Sequence, residues 1–186
     1  MGRLVYVSIG SLDGFINDEH GEFDWSAPDA EVHSYLNERD RSVVLELYGR
    51  RLYDVMKVWE AYGTDALAHP AERQYGEQWR ARDKVVYSTT LAAVETSRTR
   101  LERSFDPAQV RREVDSVSGD VSIGGPELAA HALGAGIVDA VEFYANPVVI
   151  GEGTPWLPTG LRAGLELTTV HRFECGVVHL AYDVRR

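Results

Sequence analysis

The sequence predicts an α/β fold built on a mainly parallel sheet with an antiparallel hairpin at its C-terminal edge. Strand-like and helix-like periodicities alternate from residue 4 to about residue 136, the pattern of parallel strands joined by helical crossovers. Two runs, Val43-Val44-Leu45-Glu46-Leu47-Tyr48 and Val85-Val86-Tyr87, are mostly apolar without alternation and suit strands covered on both faces. Beyond residue 137 the helical period disappears, and Leu165 to Phe173 and Val177 to Val184 read as paired strands joined at Gly176.

Taken in order, Leu4 to Ile9 alternates and is rich in β-branched residues, and Gly10-Ser11-Leu12-Asp13-Gly14 breaks it as a loop. Pro28 sits where a first helical residue belongs. Val32, Tyr35, Leu36 and Arg39 then follow at helical spacing between Asp29 and Asp40. The two apolar runs end at Gly49 and at Ser88-Thr89-Thr90. Between them, residues 57 to 82 are polar and read as a loop followed by a surface helix around Glu72 to Arg82. Asp106-Pro107 is a cap followed by a first-turn proline, opening a helix towards Val114. Val121-Ser122-Ile123 is a short strand entering Gly124-Gly125-Pro126. Leu128, Ala129, Ala132 and Leu133 make one apolar helical face, stopped by Gly134 and Gly136. Ala140 to Ala145 alternates and adds a strand before the final hairpin.

A chain of 186 residues, 44% of them hydrophobic, can bury a core without disulfide staples, and one domain spanning residues 1–186 is expected. Acidic residues number 29 against 19 basic ones, and the net charge of −10 disfavours general nucleic-acid binding. No apolar stretch approaches the ~20 residues that span a bilayer, and the N-terminus moves straight into a strand pattern, so no membrane association and a cytoplasmic location are expected. With Cys175 the one cysteine, a Cys-rich zinc site is excluded. His20-Gly21-Glu22 matches half of a zinc-deaminase motif whose cysteine half cannot be built here. Cys175 itself reads as a turn or half-buried position.

Open α/β sheets bind ligands beyond the carboxyl ends of their strands, where loops and helix N-termini present unpaired N–H groups. Three such junctions stand out. Gly49-Arg50-Arg51 offers guanidinium charge, Ser88-Thr89-Thr90 hydroxyl groups, and Gly124-Gly125-Pro126 bare backbone amides. A ligand with a pyrophosphate and a separate ribose phosphate would use all three, and NADPH has that layout. No Gly-x-Gly-x-x-Gly, Walker sequence, nucleophile elbow or His-Glu-x-x-His occurs.

These segments resemble the dihydrofolate-reductase-like fold, specifically the branch containing the reductase domain of the bifunctional riboflavin-biosynthesis deaminase-reductase. The resemblance covers nearly the whole chain. It rests on Val7-Ser8-Ile9-Gly10-Ser11-Leu12-Asp13-Gly14-Phe15-Ile16, Tyr48-Gly49-Arg50-Arg51-Leu52-Tyr53, Val86-Tyr87-Ser88-Thr89-Thr90-Leu91, Ile123-Gly124-Gly125-Pro126-Glu127-Leu128 and Pro147-Val148-Val149-Ile150-Gly151-Glu152-Gly153-Thr154-Pro155, in that order.

The resemblance implies a three-layer sandwich and an NADPH-dependent reductase acting on a flat heterocyclic small molecule. By resemblance Gly49, Arg50, Arg51, Ser88 and Thr89 hold the adenosine phosphate. Gly124, Gly125, Pro126, Glu127 and Leu128 line the pyrophosphate and nicotinamide side. The implied substrate is a ribosylaminopyrimidine of the 5-amino-6-(5-phosphoribosylamino)uracil type, reduced at its sugar, with a dihydrofolate or pteridine substrate second. A non-catalytic NADP-binding dimeric module is the alternative of a different class. The resemblance also implies a homodimer formed through the β-rich C-terminal third. No deaminase segment is expected ahead of residue 1, which leaves the pathway open. Asp29, just after Trp25 and at the head of the first helix, resembles the proton-donating acid of dihydrofolate reductases, with Asp24 second. The simpler reading of Asp29 is helix-dipole stabilisation of roughly 0.3–1 kcal/mol. His33 is read as a packed side chain that could reach the cleft.

Overall fold

The computed structural model describes residues 2–62 and 68–185. From the N-terminus, β1 (Leu4–Ser11) leads through a short strand β2 (Phe15–Asn17) and a 3-10 turn to α1 (Ala30–Arg39) and β3 (Val43–Gly49). The chain continues through α2 (Arg50–Met56), α3 (Pro70–Ala81), β4 (Asp83–Tyr87) and β5 (Thr99–Glu102). Then come α4 (Pro107–Ser116), β6 (Asp120–Gly124), α5 (Pro126–Gly134) and β7 (Ala140–Asn146). A two-residue strand β8 (Thr154–Pro155) precedes the closing hairpin of β9 (Leu165–Arg172) and β10 (Val178–Val184).

Eight of these strands form one sheet in the order β5-β4-β3-β6-β1-β7-β10-β9. The pairs from β5 to β7 are parallel, and β10 runs antiparallel to both β7 and β9. This is the mainly parallel α/β sheet with an antiparallel C-terminal hairpin that the sequence predicts.

Side chains alternate across the sheet with period two. Leu4, Tyr6, Leu45, Leu47, Val85, Val121, Ile123 and Val141 pack on one face against Val110 and Val114 of α4 and Leu128, Ala129, Ala132 and Leu133 of α5. The opposite face carries α1 through Val32, which packs with Tyr144, Phe173 and Val177. On that same face Tyr53 of α2 and Trp79 of α3 pack on Tyr48 and Val86.

The elements depart from the sequence reading in particular places. Pro28 lies outside α1: the N-cap is Asp29, whose side chain accepts from Val32 N and fixes the start at Ala30. Periodicity showed neither α2, which runs directly from the end of β3, nor the 3-10 segment Lys57–Glu60 that opens the polar stretch. Residues 63–67 of that stretch lie outside the described residues. Its later helix begins at Pro70, capped by His69. It is not a surface helix throughout, because Trp79 is fully buried and donates from Nε1 to Tyr48 Oη at 3.1 Å. The edge strand β5, Thr-Arg-Leu-Glu, was too short and too charged to register.

The α1/α3 face of the sheet carries buried charge. Arg39 forms a two-bond fork with Glu142, at 3.0 and 2.9 Å, and also reaches Asp40. His179 joins Glu142 at 3.1 Å, and Tyr35 Oη meets its other ring nitrogen. Arg82 meets Glu46 at 2.7 Å, and Lys84 Nζ is held by the carbonyls of Trp79 and Arg82 above the Trp79 ring. Burial by itself would raise the Glu142 carboxyl. The His179 hydrogen bond and the Arg39 guanidinium more than offset it and hold the group below the usual carboxylate range. At Glu46 burial wins over the opposing pull of Arg82, and the carboxyl is raised.

Removing one member of a buried pair strands the other without a partner. Glu142→Gln should therefore destabilise the fold by about 3–5 kcal/mol at neutral pH, read from the urea midpoint. Because the folded-state value of Glu142 is depressed, its contribution is complete above the ordinary carboxylate range and is lost as pH falls through that folded value. The acid side of the stability curve should accordingly be flatter in Glu142→Gln than in the wild type.

Candidate functional site

The three junctions singled out in the sequence lie at the carboxyl ends of adjacent strands. Tyr48 of β3 is level with Gly124 of β6, and Gly49 is level with Tyr87 of β4. Side chains tie them together. Arg50 Nη1 donates to Thr90 Oγ1 at 2.7 Å, joining the β3 and β4 ends, and Arg50 Nε lies 3.6 Å from Asp54. Arg51 Nη1 meets Glu127 Oε1 at 2.9 Å, joining the β3 and β6 ends.

Each glycine here has its own physical account. Gly125 is the N-cap of α5 at φ +86, a backbone that L side chains rarely adopt. A Cβ on Gly124 would meet Leu52 Cδ2 at 2.4 Å, so that position is filled by α2 packing on the turn. Gly49 differs from both: its φ is −75, and a Cβ there would make only an ordinary contact, 3.8 Å from Leu128 Cβ. Glycine is thus required at position 49 neither by the backbone angle nor by a clash, and the position lies beside the N-terminus of α5.

That N-terminus is also uncapped. Asp29, His69 and Asp106 cap α1, α3 and α4 with side chains, whereas α5 has no side-chain cap and begins Pro126, Glu127, Leu128. The first-turn amides of Glu127 and Leu128 are thus left without an intrahelical or side-chain acceptor, at the positive end of the helix dipole. The adjoining loop is shaped by Ser88, whose Oγ accepts from Leu91 N at 3.0 Å and Thr90 N at 3.3 Å.

Thr89 is exposed and Thr90 is the residue beside Arg50. Arg103 was not found by sequence reasoning. Its Nη1 donates to the carbonyls of Ser88 and Leu91, and Nη2 donates to that of Ala92, so it braces the loop from the end of β5. Nothing marks it in the sequence, because the strand it follows is itself illegible there.

The segment after β1 is clasped to the segment after β7. Leu12 N donates to Val148 O, and the Asp13 carboxylate accepts from Gly151 N and Ile150 N. The pairing of β2 with β8 and the stacking of Trp156 on Phe143 at 4.4 Å complete the clasp. His20-Gly21-Glu22 is a turn in this segment, folded by the Asp18 carboxylate, which accepts from His20 N and Glu22 N.

The two acids occupy the entry to α1. Asp24 is exposed in the 3-10 turn Asp24–Ser26, which packs against β1. Asp29 spends its carboxylate as the α1 cap, accepting from Val32 N at 2.9 Å. That hydrogen bond holds its carboxyl below the usual range, and its geometry is that of a helix cap. His33 is packed against Trp59 and Tyr75, and burial lowers its pKa. Cys175 is exposed in the turn between β9 and β10.

Among the described residues no helix is long and apolar enough to cross a membrane. Residues 3–179 match the family described as the RibD C-terminal domain. The uncharacterised protein YyaP of Bacillus subtilis (strain 168) is 27% identical over 97% of this chain and 94% of its own length. Among solved structures, dihydrofolate reductase from Enterococcus faecalis, complexed with NADP(H) and RAB-propyl, superposes with a TM-score of 0.65 at 15% identity, over 100% of this chain and 98% of that one. The diaminohydroxyphosphoribosylaminopyrimidine deaminase/5-amino-6-(5-phosphoribosylamino)uracil reductase of Thermotoga maritima also has a TM-score of 0.65, at 13% identity. The superposition covers 99% of this chain and 57% of the Thermotoga chain.

The cap and the acid roles of Asp29 separate by substitution. Asp29→Ala should cost about 1 kcal/mol of stability, while Asp29→Ser, which can still accept from Val32 N, should stay within a few tenths of the wild type. Chemical denaturation of both variants checks this, and equal losses would remove the cap assignment.

Proposed function

Because the chain belongs to the RibD C-terminal domain family, we propose that it is an NADPH-dependent reductase acting on a ribosylaminopyrimidine-type small molecule, with a pteridine as the second substrate class. The observation that carries this reading is the α5 N-terminus, left without a side-chain cap beside Gly49, with the Arg50 guanidinium at the same strand end. Bound there, NADPH would supply the hydride. The Glu127 and Leu128 amides would hold its pyrophosphate, and Arg50, backed by Thr90, would hold its ribose phosphate. The clasped segment after β1 would roof the cleft and keep water from the reacting face. Asp24, whose carboxylate is not engaged as a cap, is the proposed proton donor.

The outer hairpin supports the homodimer. Val170 is paired with Leu180, Leu167 with Tyr182, and Leu165 with Val184, which puts an apolar strip on one face of the sheet edge. Leu167 is 52% and Val170 58% exposed on that strip, and we infer that a second copy covers it. Light scattering at micromolar concentration should give a dimer mass, and Leu167→Glu a monomer.

Arg50→Ala should weaken NADPH by roughly tenfold to a hundredfold and NADH far less, since charge-assisted bonds to the extra phosphate are what it removes. Dissociation constants for both nucleotides test it, and equal losses would remove the phosphate assignment. Loss of NADPH absorbance with a pyrimidine or pteridine panel tests turnover. Tight binding without oxidation across both panels would identify a non-catalytic module instead.

A further inference from the structure

One contact in the cleft has no part in that reading. Tyr48 and Gly124 are register partners on adjacent parallel strands, and Arg51 and Glu127 each follow three residues later, in the first turns of α2 and α5. They stand level with each other on opposite sides of the crevice, and their ion pair of 2.9 Å bridges it above the Gly124-Gly125 turn. Packing does not fix the pair, because the two side chains are 87% and 75% exposed.

Glu127 is an unusual neighbour for a phosphate site. Its carboxylate occupies the positive end of α5, where a ligand phosphate would otherwise have the field to itself, and it occupies one of the two guanidiniums beside that end. Resting on the NADPH reading, we propose that Arg51–Glu127 is a counter-ion latch: Glu127 holds Arg51 across the crevice until a ligand phosphate takes the carboxylate's place on the guanidinium. The exchange conserves the Arg51 hydrogen bond and releases an exposed carboxylate to water. A ligand without a phosphate in reach has nothing to offer Arg51 and leaves the latch shut. The Glu127 carboxylate is thus a specificity-determining group that works against uncharged ligands, distinct from the backbone amide of the same residue that would hold the pyrophosphate.

Calorimetric titration with NADPH of the wild type, Glu127→Gln, Arg51→Gln and the double variant tests the latch. Glu127→Gln should tighten NADPH by roughly threefold to tenfold in the presence of Arg51. In the Arg51→Gln background the same change should give less than about a twofold gain, because no competition for the guanidinium remains. A gain of equal size in both backgrounds would mean simple charge repulsion and would overturn the latch. Absence of any gain in a protein that binds NADPH would overturn it too, while leaving the cofactor reading in place. Failure of NADPH to bind either the wild type or Glu127→Gln would sink the cofactor reading itself, and the latch with it.

Discussion

Parallel strands are joined by right-handed crossovers, so the direction in which the chain moves along a sheet decides the face on which each connecting helix lies. From β1 the chain steps outward through β3, β4 and β5, and α1, α2 and α3 share one face. It then returns to lay β6 between β3 and β1, and later β7 beyond β1. Both moves reverse the direction, and α4 and α5 share the other face. The loop leaving β6 therefore parts from the loops leaving β3 and β1. A crevice at the β6 end is the geometric consequence of strand order, and it is where Gly49, Arg51 and the head of α5 meet.

The two faces are built from different materials. Under α4 and α5 the sheet offers aliphatic side chains and the layers close by apolar packing. Under α1 and α3 it offers Glu46, Lys84, Glu142 and His179, all of which find partners on helices or at strand starts. Such pairs contribute little net stability, since desolvation offsets their attraction. They are demanding in position: a helix that slid by one turn would leave several buried charges without partners. The charged layer therefore fixes where α1 sits, and through Asp29 where the entry to the cleft begins.

The strand ends were legible because they combine apolar runs with abrupt glycine or hydroxyl residues, which is how Gly49, Ser88 and Gly124 could be placed before any coordinates. The helices with weak periodicity were not. In α3 the aromatic residues Tyr75 and Trp79 recur at a spacing of four among charged neighbours, and their partners, Trp59 and His33 for Tyr75 and the Tyr48 hydroxyl for Trp79, come from elements outside the helix. Arg103, and the pairing of Thr90 with Arg50, escaped for a similar reason, because the partners are brought near only by the loop after β4. Local pattern finds where a site is. Which neighbouring hydroxyl or guanidinium serves it is decided by tertiary contact.

The position of Cys175 gives the molecule a practical handle. It is the one sulfhydryl in the chain, exposed in the turn of the outer hairpin, and that turn is tied to the head of α1 by Glu174 N, which donates to the Glu31 carboxylate at 3.0 Å. A spin label or fluorophore attached there needs no cysteine introduced or removed. Its reporter group would sit between the edge of the sheet and the doorway of the cleft, so one attachment point could register events at both.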